Sequence, residues 1–385
     1  MPAPGRRALA ADLLARVEPR HLAAFHEALP AWFTRVRRHF PWREETDGRR
    51  DPYRVWLSEV MLQQTRADQA RPYFDRFVAA FPTVSALAGA PIDEVLKAWE
   101  GLGYYARARN LHRAAAAVVE RHDGTIPGDE EAFRALPGVG PYTAAAVLSL
   151  AFGVPLAVLD GNVIRVLARV FAVEADTRSG ATRAALQEVA DRLLDTAHPA
   201  RHNEGVMELG ATVCTPRRPA CPACPLRTVC AAYASGAPEA YPVVSKKKPV
   251  PHVEVAVAVI EDDAGRVLVQ RRPEDGLLGG LWEFPGGKVE GDETPAATCG
   301  REVAEELGVE IAVGAPVARV DHAYTHFTVT LHAFLCRLTA GEPRHHAGEP
   351  MRWVTGAELA ALAMPRANRR IVEALEDRNR RPTLF

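Results

Sequence analysis

The chain has 385 residues, too many for one ordinary core and enough for two or three domains. Apolar residues make up 48% of it, ample for folded cores, and no apolar run reaches the roughly 18 residues of a bilayer span. The net charge is −1, with 29 basic against 27 acidic residues over 1–245 and 18 against 21 over 246–385. Bulk charge therefore offers no basic surface for nucleic acid, and any such binding must come from local clusters, loop amides and helix ends.

Arg6, Arg7 and Asp12 interrupt the alanine-rich start, which lacks the apolar stretch of a secretion signal. A soluble, cytoplasmic protein is expected. Residues 53–79, 92–100, 106–120, 130–136, 141–152, 162–171 and 181–195 carry apolar residues at spacings of three and four, with Pro, Gly and Asp between them. This predicts an all-α domain over 20–235 with no strands. Residues 236–251, rich in Ala and Pro and holding Lys246, Lys247 and Lys248, read as a linker. The alternating HVEVAVAVI and RVLVQRR that follow predict strands. With a helix near 295–307 and strands near 315–337, an α+β domain is expected over 252–380.

Four features of the first domain carry chemistry. Glu59 sits among Trp56, Leu57, Val60, Met61 and Leu62, where a carboxyl can have a raised pKa and serve as an acid; a helix-surface Glu is the plain alternative. The segment LPGVGPYTAAAVLSL places Gly138, Val139 and Gly140 in a tight hairpin before Pro141, the first residue of a helix whose amides can hold a phosphate. A helical hairpin with glycine stops reads equally well. Asp160 precedes another helix, whose dipole favours its ionised form, and a simple cap is the alternative. Finally, Cys214, Cys221, Cys224 and Cys230 lie within 17 residues, a metal site rather than a disulfide framework in a chain without a secretion signal. Four thiolates suit an iron–sulfur cluster or zinc, although the spacing does not match the paired knuckles of zinc ribbons. Cys299 and Cys336 read as ordinary buried thiols.

In this order, SEVMLQQT, GLGYYARARNLH, LPGVGPYTA, LDGNV, MELGATVCTPRRPACPACPL and GLLGGLWEFP resemble the MutY family of helix-hairpin-helix DNA glycosylases, over roughly residues 25–335. The resemblance implies a [4Fe–4S] cluster on the four cysteines and, as partner, double-stranded DNA carrying adenine opposite 8-oxoguanine or guanine. It implies a nucleoid-associated monomer that flips adenine from the stack. Glu59 would protonate adenine and Asp160 would stabilise the sugar cation, a two-carboxyl logic shared with glycoside hydrolysis. Tyr142 and Asn162 would support that intermediate, while Trp42, Arg43 and Glu204 would line the adenine pocket. An insertion between Arg43 and Asp51 interrupts the match there. Gln64, Thr65, Leu102 and Tyr104 would wedge into the duplex around the lesion. Bifunctional relatives carry a lysine where this chain has Tyr142, and Lys97 is the sole lysine of residues 1–245, so Schiff-base strand nicking is not expected. Thymine-excising relatives share the tyrosine but lack the acid, which favours adenine.

Residues 287–309 fit G-x5-E-x7-R-E-U-x-E-E-x-G-U, the Nudix box, at every specified position. Glu302, Glu305 and Glu306 on one helix could bind Mg2+ and act on a diphosphate. The resemblance implies instead a domain that recognises 8-oxoguanine, with Tyr324, Thr325 and His326 as the lesion loop. Pyrophosphohydrolase activity on oxidised nucleoside triphosphates is the alternative.

Overall fold

A computed structural model describes residues 6–245, 249–324 and 326–380. The chain assorts into two compact units, one from 1–88 with 113–247 and the other from 89–112 with 248–385.

The first unit is helical. Helix Pro52–Leu62 starts where Asp51 accepts from the amides of Tyr53 (2.8 Å) and Arg54 (3.4 Å), with Pro52 at the first position. It stops short of the expected 53–79 helix. Gln64 takes a left-handed φ of 64°, and a separate helix begins at Ala67. Helices Pro141–Phe152, Gly161–Val170, Gly180–Leu193 and Pro199–Thr212 follow. Phe25, Leu29, Phe33, Leu167, Leu186 and Leu209 meet in one apolar cluster of this unit. Helix Arg6–Ala15, ahead of the boundary expected at residue 20, packs on Gly180–Leu193.

A small hairpin within the insertion departs from the all-helical expectation. Glu45–Thr46 pairs antiparallel with Arg49–Arg50. Its turn uses Asp47 (φ 51°) and Gly48 (φ 73°), the conformations of a tight hairpin turn. Strands of two residues show no periodicity to read. Part of the expected linker also belongs to this unit, since Tyr241 and Val243 carbonyls accept from Arg169 Nε (2.9 Å) and the Thr177 amide (3.0 Å).

The second unit is α+β. Strands in the order Gly286–Lys288, His252–Ile260, Thr328–Ala340 and Glu310–Ala323 form a four-stranded sheet, in which the middle pair is parallel. A three-stranded sheet joins Trp282–Glu283, Val267–Arg271 and Met351–Val354. Helix Pro295–Leu307 covers Ala256, Ala258 and Ile260 through Cys299, Val303 and Leu307. Residues on the opposite face, such as Val257 and Val259, pack with Ile371 and Val372 of helix Arg366–Arg380. Cys299 and Cys336 are buried, as expected, and face each other at 3.9 Å. Among the described residues no helix is long and apolar enough to cross a membrane.

Candidate active site

Glu59 lies on the inward side of helix Pro52–Leu62 and is only 5% exposed. Tyr142, in the first turn of helix Pro141–Phe152, donates its hydroxyl to Glu59 Oε2 at 2.7 Å. Burial pushes the Glu59 pKa up to about 7, and the charges of Asp160 and Glu204 push the same way; the Tyr142 bond and Arg43 oppose. Burial likewise holds Tyr142 well above the ordinary phenol value, so its proton stays in place to donate.

Asp160 caps helix Gly161–Val170. Its Oδ1 accepts from the Val163 amide (2.7 Å) and its Oδ2 from Asn162 Nδ2 (2.8 Å). Arg165 Nη2 donates to Asn162 Oδ1 at 2.8 Å and steadies that amide. These bonds and the helix start favour the carboxylate, yet burial outweighs them and leaves the Asp160 pKa raised. Gly210 is needed here, because a Cβ would sit 2.5 Å from Asn162 Cβ.

The expected pocket residues are drawn together, and others join them. Arg43 pairs with Glu204 (Nε to Oε1, 2.9 Å) and with Glu208 (Nη2 to Oε2, 2.9 Å). Arg50, delivered by the hairpin, donates Nη2 to Glu204 Oε2 at 2.7 Å. Arg38 reaches Glu208 at 2.6 Å. Trp42 is 6% exposed and stacked on Phe40 with ring centroids 4.7 Å apart. Glu204 and Glu208 are buried on helix Pro199–Thr212. Sequence reasoning missed Arg38, Arg50 and Glu208. The four-residue interval from Glu204 to Glu208 signalled the last, since it puts both carboxylates on one helix face. Asn203 was missed too: it accepts from the Val158 amide (3.1 Å) and donates to the Leu156 carbonyl (2.8 Å), securing the segment that leads into Asp160.

Cys214, Cys221, Cys224 and Cys230 line a single cavity with Arg169. Burial foremost, and one another's charge, raise the thiols of Cys221, Cys224 and Cys230, that of Cys224 to about 12. Bare thiolates at those three positions are thus disfavoured. Arg169 Nη1 lies 3.3 Å from Cys214 Sγ, and Arg165 Nε donates to the Cys214 carbonyl at 2.7 Å. Among the described residues no three His, Cys, Asp or Glu side chains converge tightly enough to hold one metal ion.

The remaining expected positions divide. In the hairpin, Gly138 has φ 74°, and the Val139 amide is taken by the Leu136 carbonyl at 3.2 Å; Gly140 is the residue just ahead of the helix. Gln64 is exposed and Thr65 half-buried. Leu102 is 8% exposed, whereas Tyr104 is 38% exposed. Tyr324 stacks on Phe327 with centroids at 4.8 Å and His326 is exposed; Thr325 lies outside the described residues.

On the Nudix-box helix, Arg301 bonds Glu293 (2.8 Å), Glu302 (3.0 Å) and Glu305 (2.9 Å), while Glu306 accepts from Gln270 at 3.0 Å. Gly287 lets the Glu302 carboxylate approach the backbone, where a Cβ would lie 2.1 Å from it. So disposed, Glu302 and Glu305 pair with Arg301, and Glu306 with Gln270.

Two family models match the chain, and the first of them includes residues 89–112 of the second unit. Residues 57–192 match the HhH-GPD superfamily of base excision DNA repair proteins, and residues 256–374 match the NUDIX domain. The chain is 33% identical over 420 residues to the adenine DNA glycosylase of Rattus norvegicus, covering 94% of this chain and 81% of that one. To that of Homo sapiens it is 33% identical over 401 residues, covering 91% and 73%. A solved thermostable thymine-DNA glycosylase, 30% identical, superposes with a TM-score of 0.51 over 56% of this chain and 98% of its own.

Proposed function

The chain belongs to the adenine DNA glycosylase family, a group of base excision repair enzymes, and from that premise we propose that it hydrolyses the N-glycosidic bond of adenine paired with 8-oxoguanine or guanine in double-stranded DNA. One observation carries the reading: buried Glu59 feels the charge of the half-buried Asp160, and the two carboxyl groups sit in different hydrogen-bond environments. Glu59, near half-protonated at neutral pH, can give its proton to adenine N7 of a base flipped into the pocket, with Tyr142 holding the carboxyl in place. Loss of the base leaves positive charge on the sugar. Asp160, aimed by the Val163 amide and Asn162, meets that charge until water attacks.

Arg43, Arg50, Glu204 and Glu208 form the rigid polar wall beside Glu59, and the Gly138–Gly140 hairpin supplies the phosphate contact. Gln64, Thr65, Leu102 and Tyr104 wedge the duplex, and Tyr324, Thr325 and His326 read 8-oxoguanine. Gln64, Tyr104 and His326, exposed among the described residues of these sets, make the first contacts. The protein acts as a monomer in the nucleoid. Cys214, Cys221, Cys224 and Cys230, which line one cavity, would hold a [4Fe–4S] cluster, and Arg165 and Arg169 beside Cys214 would offset its negative charge. When bound, the cluster supplies a structural clasp for the DNA-facing loop rather than the chemistry of excision.

The test is adenine release from duplexes with adenine opposite 8-oxoguanine, guanine or thymine, with and without hot alkali. Release that produces strand breaks only after alkali is the expected result. Absence of release from 8-oxoguanine:adenine duplexes defeats the proposal.

A further inference from the structure

Within the second unit, four charged side chains of the 89–112 segment reach into the α/β part. Asp93 pairs with Arg271 at 3.0 Å and Arg352 at 3.8 Å. Lys97 Nζ donates to the Ala360 (2.8 Å) and Leu362 (3.2 Å) carbonyls. Glu100 Oε1 accepts from the Met364 amide (3.2 Å) and from Arg369 Nη2 (2.9 Å) and Nε (3.1 Å). Arg109 donates to the carbonyls of Gly279 and Glu274. The partly buried, forked Glu100–Arg369 contact loses more on disruption than an exposed ion pair would.

Between Glu100 and Arg109 lies a strained turn. Gly101 (φ 98°), Gly103 (φ 72°) and Tyr104 (φ 50°) all take left-handed backbones, and for Tyr104 that conformation persists only under external constraint. The turn has its own braces. Trp99 Nε1 donates to the Gly103 carbonyl (3.2 Å), Arg107 Nη2 donates to the same oxygen (3.1 Å), and the Gly101 amide donates to Tyr105 Oη (3.3 Å). The strain and the ion pairs on either side serve one outcome: a large aromatic ring held outward in a preset position.

We propose that Glu100 and Arg369 are positioning residues for lesion discrimination, clamping the Gly101–Tyr105 turn to the α/β part that carries the lesion loop, so that Tyr104 and the loop meet the duplex as one body. The proposal rests on the wedge and lesion-loop roles given under Proposed function. A preset wedge avoids the ordering entropy that a mobile one would lose on binding. Neither clamp residue touches the reacting atoms, so the clamp acts on recognition and leaves the bond-breaking step alone.

Single-turnover excision on 8-oxoguanine:adenine and guanine:adenine duplexes tests this in wild type, Glu100→Gln, Arg369→Gln, Tyr104→Ala and the pairwise doubles. Glu100→Gln should lower the preference for 8-oxoguanine by roughly 2- to 30-fold, the usual range for residues that tune coupling between sites. Arg369→Gln should match it, and the two together should be no worse than either. With Tyr104 already removed, Glu100→Gln should have no further effect on the preference. A change that persists in the Tyr104→Ala background, or a parallel loss on both duplexes, means a merely structural role and overturns the proposal. So does an unchanged preference. Wild-type preference in Tyr104→Ala alone overturns the wedge reading itself and the clamp with it. If Glu100→Gln does not fold, Arg369→Lys takes its place: it keeps the charge, loses the fork, and must show the same selective fall.

Discussion

Replacing Glu59 by Gln separates catalysis from stability, because the feature that equips Glu59 as an acid also costs the fold free energy. Its folded pKa is raised from the ordinary 4.5 to about 7, chiefly by burial. A raised carboxyl contributes stability that is fully present below the unfolded value and is lost as pH rises through the folded one. At 1.36 kcal/mol for each pH unit, a shift of this size withdraws roughly 3 kcal/mol by pH 8.5. Glutamine is isosteric, stays neutral and can still accept the Tyr142 hydroxyl. Glu59→Gln should therefore match wild type near pH 4.5 and exceed it by roughly 3 kcal/mol above pH 7. Urea titrations that follow the helical unit at pH 5 and pH 8.5 measure the difference. The same variant should lose adenine excision by orders of magnitude while retaining DNA binding, and wild-type excision should decline as pH rises past about 7. A stability difference independent of pH would refute the burial argument, and near-normal single-turnover cleavage would refute the acid assignment.

Asp160→Asn keeps an acceptor for the helix cap and removes the charge, so excision should fall by at least about 100-fold with little change in Tm; a few-fold loss would leave Asp160 as a cap alone. Arg50→Met strips Glu204 of one of its two guanidinium partners, and because Arg43 remains, the destabilisation should be about 3 kcal/mol or less, read by urea unfolding against Arg50→Lys. Purified protein should be brown with about four irons per chain, and Cys224→Ser should bleach it; colourless protein with stoichiometric zinc would reverse the cluster assignment. Because Arg301 and Gln270 engage the box carboxylates, Mg2+-dependent hydrolysis of 8-oxo-dGTP should be absent, and turnover that Glu305→Gln with Glu306→Gln abolishes would establish a second activity.

Much of the fold was legible because periodicity and punctuation are local. The helices at Pro141, Gly161 and Gly180 begin where Pro, Asp and Gly place them, and the Nudix box marks its own helix. Glu59, Asp160 and the four cysteines could be singled out because neighbours in sequence already declare an apolar surround, a helix start or a crowd of thiols. Pairings distant in sequence were beyond its reach. Glu59 meets Tyr142 across 83 positions and Arg50 meets Glu204 across 154. Nothing in a linear pattern encodes such separations, and the two-residue strands that deliver Arg50 carry no period at all. Sequence placed residues 89–112 inside the helical domain because they lie between its helices, and the family match over 57–192 includes them. Tertiary packing assigned them to the second unit, since Asp93, Lys97, Glu100 and Arg109 find their partners among residues 271–369. The chemical types of the site were written in the chain. The balance of burial against hydrogen bonding, which raises Asp160 despite its helix cap and brings Glu59 to about 7, exists only once the helices close around them.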